Sequence, residues 1–337
     1  MPVAWHVEGV IASVAFRNFK ALRGTSLVLA PFNLIIGPNG SGKTSLIQAL
    51  LRLRGLAKLP LGAAATARRR NGPEIGFQFS PPHEAITARL SCRADYVCDF
   101  LQIEPPGAPG WPALRDELAQ IRSYLLDYHA MGEPSAKTKG TELASNGGNL
   151  AAVLTRMRER APENYAALTT EALRVMPEYA ALELSEREDS ACELAMRLVE
   201  GELVTAEDLS QGSLYTLAVL TLAFDPAPPA LLCIEEIDRG IHPRLLREIR
   251  DALYRLSHPA SRGLSRRPVQ IVATTHSPYM LDLFREHPEE VVLAHKHGRE
   301  ARFERLADRS DLTELLREGS LGDMWFSGIL GGVPDEP

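Results

Sequence analysis

The chain is poor in cysteine, and its four cysteines, Cys92, Cys98, Cys192 and Cys233, are scattered along 337 residues. They form no C-x-x-C pair and have no nearby histidine at a zinc-binding spacing. We therefore expect all four to be buried as small apolar residues. The absence of a disulfide framework favours a reducing compartment.

Long hydrophobic runs are also missing. The longest apolar stretch, around Leu214 to Phe224, contains Tyr and Thr and reaches about half the length of a membrane span. The N-terminus lacks the basic and then apolar pattern of a signal peptide. These absences predict a cytoplasmic protein without a membrane segment.

Charge of one sign is not in large excess, since 37 Lys and Arg residues stand against 43 Asp and Glu, for a net charge of −6. Such a chain is not built as a whole to coat nucleic acid. Two local basic clusters remain, Arg68-Arg69-Arg70 and Arg262 with Arg266-Arg267. Each is ordinarily a solvated loop, but on the exposed face of a dimer either could hold DNA phosphates.

The strongest motif present is the glycine-rich stretch GPNGSGKT, residues 37–44. It follows an apolar run, FNLII, and precedes an apolar helical stripe, which is the strand, loop and helix context of a phosphate-binding P-loop. Backbone N–H groups of the loop and the helix N-terminus would face the phosphate. Lys43 can reach the β- and γ-phosphates, and the Thr44 hydroxyl can hold Mg²⁺. The other expected binding residues are Asn39, Gly40, Ser41, Gly42 and Ser45.

A second motif, LLCIEE, is an apolar strand that ends in two acids and has the pattern of a Walker B strand. Glu235 would face Mg²⁺, and Glu236 would polarise a water in line with the γ-phosphate. ATP or GTP is therefore the predicted ligand, and the lack of an N-K-x-D element disfavours GTP. We find no H-E-x-x-H motif, nucleophile elbow or HNH-like histidine cluster. His295 and His297 are predicted to be structural, on a strand end without matching acids.

Two further segments carry polar groups next to predicted helix or strand ends. LSQGS, residues 209–213, predicts an N-capped helix start and a second anion-binding helix terminus. Two such termini in one chain suggest a site shared between two subunits. TTHSP places His276 at the ligand edge of the sheet.

The middle of the chain reads as mostly helical, whereas both ends read as α/β. The spacing of Leu114, Leu118, Ile121, Leu125 and Leu126 predicts one helix face. We predict a P-loop NTPase with an antiparallel β subdomain. Its core is formed by residues 1–104 and 205–337, and a helical insertion with a β-hairpin spans residues 105–204.

In their order, GPNGSGKT, LSQGS, LLCIEE and TTHSP resemble the ABC-type ATPases. The chain is most similar to the RecF, SMC and OLD-nuclease ATPase heads, through RNFK at residues 17–20 and EEIDRGIHP at residues 235–243. The closing GSLGDMWF resembles the tail of small stand-alone bacterial ATPases. The resemblance implies an ABC ATPase head that uses ATP and Mg²⁺.

The resemblance also implies an ATP-dependent homodimer or higher homo-oligomer, in which two copies sandwich two ATP molecules. Ser210 and Gly212 of one copy would complete the P-loop site of the other. Asp238 would lie where the D-loop crosses to the partner, and His276 would be the switch histidine that contacts the γ-phosphate.

Some positions depart from this group. Glu235 stands where most ABC proteins carry Asp, and Ile237 stands where the related motif has Pro. No Q-loop glutamine is obvious; of Gln78 and Gln102, the second is favoured.

Two functions remain open at this point. The first is an ATP hydrolase that dimerises on ATP and regulates a separate protein effector, a nuclease or toxin in anti-phage defence. The absence of a second catalytic constellation motivates it. The second is a DNA-repair or DNA-tethering ATPase that binds duplex DNA directly. A transporter subunit is disfavoured, because the insertion lacks a recognisable coupling signature.

Overall fold

The computed structural model describes residues 9–59, 72–94 and 97–331. Within them the strands are β1 Ile11–Phe19, β2 Leu22–Val28, β3 Phe32–Ile36, β4 Glu74–Phe79, β5 Thr87–Ala94, β6 Val97–Glu104, β7 Arg122–Tyr124, β8 Ser135–Ala136, β9 Tyr179–Glu186, β10 Ala191–Leu198, β11 Leu203–Thr205, β12 Leu231–Ile234, β13 Gln270–Thr275, β14 Val291–His297 and β15 Glu300–Arg305. The α-helices are α1 Lys43–Ala57, α2 Trp111–Ala119, α3 Tyr128–Gly132, α4 Leu150–Arg160, α5 Pro162–Val175, α6 Gln211–Ala223, α7 Pro243–Ser257, α8 Pro278–Asp282, α9 Leu312–Glu318 and α10 Leu321–Phe326.

Eleven of the described strands form one mixed sheet in the order β6-β5-β4-β1-β2-β15-β14-β3-β13-β12-β7. Strands β14, β3, β13 and β12 are parallel neighbours, and β6, β5, β4, β1 and β2 are antiparallel neighbours. Every residue of β3, β12 and β13 is buried, as bare apolar runs in a parallel sheet predict. The α/β class, the antiparallel subdomain and the parallel strands around the P-loop are therefore confirmed.

The chain divides into two compact units. The first contains Met1–Ser123, Pro229–Ile237 and Ser257–Pro337, and the second contains Tyr124–Pro228 and Asp238–Leu256. This division differs from the predicted boundaries: it assigns α2 to the first unit, and it assigns α6 and most of α7 to the second. The predicted insertion, residues 105–204, therefore coincides with neither unit.

The core of the first unit lies between α1, α2 and the antiparallel strands. The apolar side of α1 contributes Leu46, Ile47, Leu50 and Leu53, all buried, and the strands supply alternating residues such as Val14 and Phe16. Apolar residues recur every 3.6 residues along α1 and every second residue along the strands. Each element therefore has one apolar face, and these faces pack together, which places the helix on one face of the sheet.

The second unit is built around α6, which is buried from Ser213 to Ala223. The buried Tyr215 hydroxyl on this helix donates to the carbonyl of Leu126 at 2.5 Å. The β-hairpin predicted within residues 105–204 is present as the antiparallel pair β9–β10.

The predicted helix face from Leu114 to Leu126 is wrong beyond Ala119. Helix α2 ends there, and Arg122–Tyr124 forms β7, a strand at the edge of the large sheet. Of the residues predicted for this part of the face, Ile121 and Leu126 are buried without being helical, whereas Leu125 is exposed. Tertiary pairing overrides the local pattern here.

The expectation for the cysteines holds for two of the four. Cys192 and Cys233 are free and buried. Cys92 and Cys98 are also buried, but they form a disulfide across the β5–β6 pair, where the two residues stand opposite each other. The register of an antiparallel hairpin, which spacing alone does not reveal, brings them together. Their pairing removes one ground for the expected reducing compartment.

Candidate functional site

The main motifs of the first unit follow neighbouring parallel strands at the same edge of the sheet. Ile36 of β3 is in register with Thr275 of β13, so the P-loop and His276 begin side by side. Ile234 of β12 is in register with Ala273, so Glu235 and Glu236 follow at the next strand. Carboxyl ends of parallel strands form the ligand edge of open α/β sheets. The sheet thus gathers the predicted catalytic side chains at one place.

The P-loop packs tightly against its neighbours, and this requires glycine at two positions. A Cβ at Gly37 would collide with the carbonyl oxygen and Cβ of Ala294 on β14. Gly42 has φ of +92°, and a Cβ there would lie 2.8 Å from Cδ2 of Leu22. The left-handed backbone and the close approach both exclude ordinary side chains. Helix α1 begins immediately afterwards, at Lys43.

The Lys43 ammonium is buried and held inside the loop. Its Nζ donates to the carbonyl oxygens of Gly37 at 2.6 Å and Pro38 at 3.0 Å. Burial lowers the pKa of Lys43 to about 8, and the nearby carboxylate of Glu236 opposes that shift. The lysine is therefore a desolvated cation that a bound anion would stabilise.

Thr44 and Glu235 are in direct contact, although 191 residues separate them. The Thr44 hydroxyl donates to Oε2 of Glu235 at 2.9 Å. The longer side chain of Glu235, compared with Asp, thus reaches the P-loop hydroxyl. A hydroxyl beside a carboxylate is the oxygen-donor pair that suits Mg²⁺. The buried Ser41 hydroxyl has no hydrogen-bond partner among the residues that the structure describes, and it adds an unused donor in the same loop.

Glu236 adopts an uncommon backbone conformation. Its φ is +52°, one of four positive φ values at described residues other than glycine. The Glu236 N–H donates to Oγ1 of Thr274 at 3.0 Å, and the Ile237 N–H donates to the Thr274 carbonyl at 2.9 Å. A left-handed non-glycine residue costs about 1–2 kcal/mol, which these two bonds offset. Thr274 therefore fixes the turn that presents Glu236, a role that the sequence did not predict.

His276 is exposed directly after β13. The next residue holds the chain in place: the Ser277 N–H donates to Oγ1 of Thr275 at 2.9 Å, and its hydroxyl caps α8 at the Met280 N–H. Of the other predicted loop residues, Asn39, Gly40 and Thr44 are exposed and Ser45 is half-buried.

The predicted trans residues lie in the second unit. Ser210 caps α6 as predicted, since its Oγ accepts from the Ser213 N–H at 3.1 Å. A Cβ at Gly212 would lie 3.2 Å from the carbonyl oxygen of Gly240, two residues after Asp238. Gly212 of the LSQGS segment and Gly240 are thus packed together within this unit.

The favoured Q-loop residue is engaged elsewhere in the first unit. Gln102 on β6 donates to Oε1 of Glu104 at 2.8 Å, and Gln78 on β4 accepts from the Ser13 hydroxyl at 2.9 Å. The Q-loop role of Gln102 stays a prediction.

The prediction that His295 lies on a strand end without a matching acid is wrong. His295 does have a matching acid, because its Nε2 lies 2.7 Å from Oε2 of Glu304 on the paired strand β15. Burial lowers the pKa of His295 more than Glu304 raises it. The acid was missed because cross-strand pairing, not sequence spacing, brings it near.

The predicted basic clusters are only partly described. Arg68-Arg69-Arg70 lies outside the described residues. Arg267 is largely exposed and forms an ion pair with Glu117 at 2.9 Å.

Among the described helices, none has the length and apolar character needed to cross a membrane.

Two family models match separate stretches of the chain. A model described as an AAA ATPase domain matches residues 10–80, which include the P-loop. A model described as "AAA domain, putative AbiEii toxin, Type IV TA system" matches residues 194–282. The second stretch holds Ser210, Glu235, Glu236 and His276. ATPase domain models therefore match both parts of the motif set.

An OLD nuclease from Thermus scotoductus (strain ATCC 700910 / SA-01) is 30% identical over 100 residues. The match covers 26% of this chain and 19% of that protein, so it spans about a fifth of the relative's length. The likeness concerns a shared segment and not the whole nuclease.

Solved structures of SMC heads share the fold. An SMC head bound to the C-terminal winged-helix domain of ScpA has a TM-score of 0.58 at 15% identity, covering 87% of this chain and 96% of that chain. An SMC head with an extended coiled coil, derived from Pyrococcus furiosus, has a TM-score of 0.56 at 15% identity, covering 91% and 99%. At such identities the likeness establishes the fold alone. Together with the family models and the OLD nuclease segment, it supports a RecF/SMC/OLD-like ABC-type ATPase with the P-loop NTPase fold of an SMC head.

Proposed function

We propose that this chain binds ATP with Mg²⁺ and hydrolyses it. The hydrogen bond between Thr44 and Glu235 carries the proposal, because it brings the P-loop and the acidic strand end to one metal-binding pair. Mg²⁺ bound there would neutralise phosphate charge. Lys43 binds phosphate oxygens, and Glu236 accepts a proton from the attacking water. His276 contacts the γ-phosphate from the neighbouring strand end.

We further propose that two copies assemble on ATP. Ser210 and Gly212 sit at the N-terminus of a helix that is buried only from Ser213 onward, so its first N–H groups can face an anion. In this arrangement they complete the P-loop site of the other copy, and Asp238 crosses to the partner beside them. The homodimer is the simplest assembly with this property, and higher homo-oligomers can contain it.

The energy of ATP binding would then control a separate protein effector, a nuclease or toxin in anti-phage defence. An SMC head of the same fold carries a winged-helix domain of another protein, which supports a protein partner. The AbiEii-linked family model supports a defence role, and the OLD nuclease segment supports a link to a nuclease. Direct duplex binding has less support, because Arg267 of the described basic cluster is paired with Glu117.

The mass of the Glu236→Gln protein in solution tests the assembly. We expect it to double on addition of ATP and Mg²⁺, because slow hydrolysis preserves the composite site. Adding Ser210→Arg should abolish the increase, since a long side chain would fill the phosphate position. An increase that survives Ser210→Arg would contradict the composite site.

A matched control separates this effect from loss of a helix cap. Ser320 also caps a helix, because its Oγ accepts from the Asp323 N–H at 3.0 Å. With Ser320→Arg in the Glu236→Gln background, the mass should still double on addition of ATP and Mg²⁺. Circular dichroism of both proteins checks that they are folded.

The pKa of Lys43 predicts how nucleotide affinity depends on pH. Below about pH 8 the ammonium is charged, and above it the free protein loses that proton. Because phosphate favours the charged form, binding above pH 8 takes up a proton and affinity falls as pH rises. The affinity for ADP should be about tenfold lower at pH 9 than at pH 7.5.

Isothermal titration calorimetry in buffers of different ionisation enthalpy measures both the affinity and the proton uptake. Lys43→Arg keeps its charge over this range and should show neither effect. If nucleotide affinity depends on pH equally in the parent protein and in Lys43→Arg, the proton taken up on binding belongs to a group other than Lys43.

A further inference from the structure

Strand β14 forms the wall of the P-loop opposite to β13. It pairs with β3 in parallel, and Leu293 is in register with Ile36. The following residue, Ala294, lies against Gly37 so closely that a Cβ there could not fit. The start of the loop is therefore fixed on β14 by backbone contact.

Lys296 lies two residues after Ala294, on the same face of β14. Its last three atoms pack on the tip of the P-loop: a Cβ built on Gly40 would lie 3.4 Å from Nζ, 3.7 Å from Cε and 3.8 Å from Cδ. Glu235, Glu236 and His276 follow β12 and β13, on the other side of β3. Two lysines therefore contact the loop: Lys43, whose ammonium lies inside it, and Lys296, which lies against its outer surface on β14.

The charge of Lys296 is not used within the part of the chain that the structure describes. Its side chain is exposed, and no carboxylate or other hydrogen-bond acceptor of residues 9–59, 72–94 and 97–331 pairs with it. By contrast, Lys43 donates to two carbonyl oxygens. A lysine that rests on a glycine-rich loop without a partner is available to an anion held by that loop.

We propose that Lys296 is a nucleotide-binding residue, which contacts the phosphate chain from the β14 side. Thr44 and Glu235 mark the side at which the metal and the γ-phosphate would lie. Lys296 therefore contacts the α- or β-phosphate, which ATP and ADP share. This inference rests on the proposed nucleotide site and assigns a second cation to it.

The test compares ATP and ADP binding by the full chain and its Lys296→Met variant, measured by titration calorimetry at pH 7.5. Methionine keeps the unbranched shape and removes the charge. A charge-assisted hydrogen bond corresponds to a loss of about tenfold or more in affinity. We expect this loss for ATP and ADP alike, with Lys296→Arg restoring most of the affinity.

Arg299 provides the matched control, because it is an exposed cation in the turn of the same β14–β15 hairpin. Arg299→Met should bind both nucleotides like the parent protein. Unchanged affinity in Lys296→Met, a loss for ATP alone, or an equal loss in Arg299→Met would overturn the assignment of Lys296 while leaving the nucleotide site intact. Failure of the parent protein itself to bind either nucleotide would reject the proposed function together with this inference.

Discussion

Glu236→Gln is expected to lower the rate of ATP hydrolysis by about 100-fold or more, because the amide cannot accept the proton of the attacking water. Nucleotide binding should persist, since Lys43 and the Thr44–Glu235 pair remain in place. The backbone of this turn is held by Thr274 through main-chain groups of residues 236 and 237, which the substitution does not alter. Phosphate release under saturating ATP and Mg²⁺ measures the effect.

Glu314→Gln is a suitable control for this variant, because Glu314 is an exposed acid on α9. It should hydrolyse ATP at the parent rate. Hydrolysis at the parent rate by Glu236→Gln would show that another group activates the water. A loss of nucleotide binding in the same protein would instead show that Glu236 is needed for the site's structure.

Lys43→Ala is expected to reduce nucleotide affinity by at least about 100-fold. The ammonium is buried within the loop, so its interaction with phosphate is weakly screened by water. Its removal also leaves the carbonyl oxygens of Gly37 and Pro38 without this donor, which can change the shape of the loop. Titration calorimetry with ATP and ADP measures the loss.

The folded state should survive Lys43→Ala, because α1 is anchored by apolar residues such as Leu46, Ile47 and Leu50. The melting temperature without nucleotide should therefore stay near that of the parent protein, whereas the increase on adding ATP should disappear. An ATP-dependent increase that persists in Lys43→Ala would place the nucleotide elsewhere.

The sequence specified the local parts of the site because they depend on short-range chemistry. A glycine-rich loop between an apolar strand and a helix has few alternatives, and the P-loop lies where predicted. Ser210 caps α6 because a serine oxygen can reach the N–H three residues later. The apolar runs of β12 and β13 likewise indicated buried parallel strands.

Interactions between distant strands could not be predicted in the same way. Thr274 supports the Glu236 turn, Glu304 pairs with His295, and Cys92 bonds to Cys98, and each contact follows from sheet register. Lys296 reaches the P-loop for the same reason, since β14 follows β13 in sequence but lies on the opposite side of β3. The spacing of residues within one strand does not reveal which residues of another strand they contact.

The sequence by itself therefore determined the local features of the candidate site: the glycine-rich loop between a strand and a helix, the paired acids, the capped helix and the histidine at a strand end. Only the tertiary structure decided which side chains meet. It brings Thr44 to Glu235 across 191 residues and lays Lys296 on Gly40. The physical reason is that local conformation follows from neighbouring residues, whereas strand order and register are fixed by burial of the whole sheet.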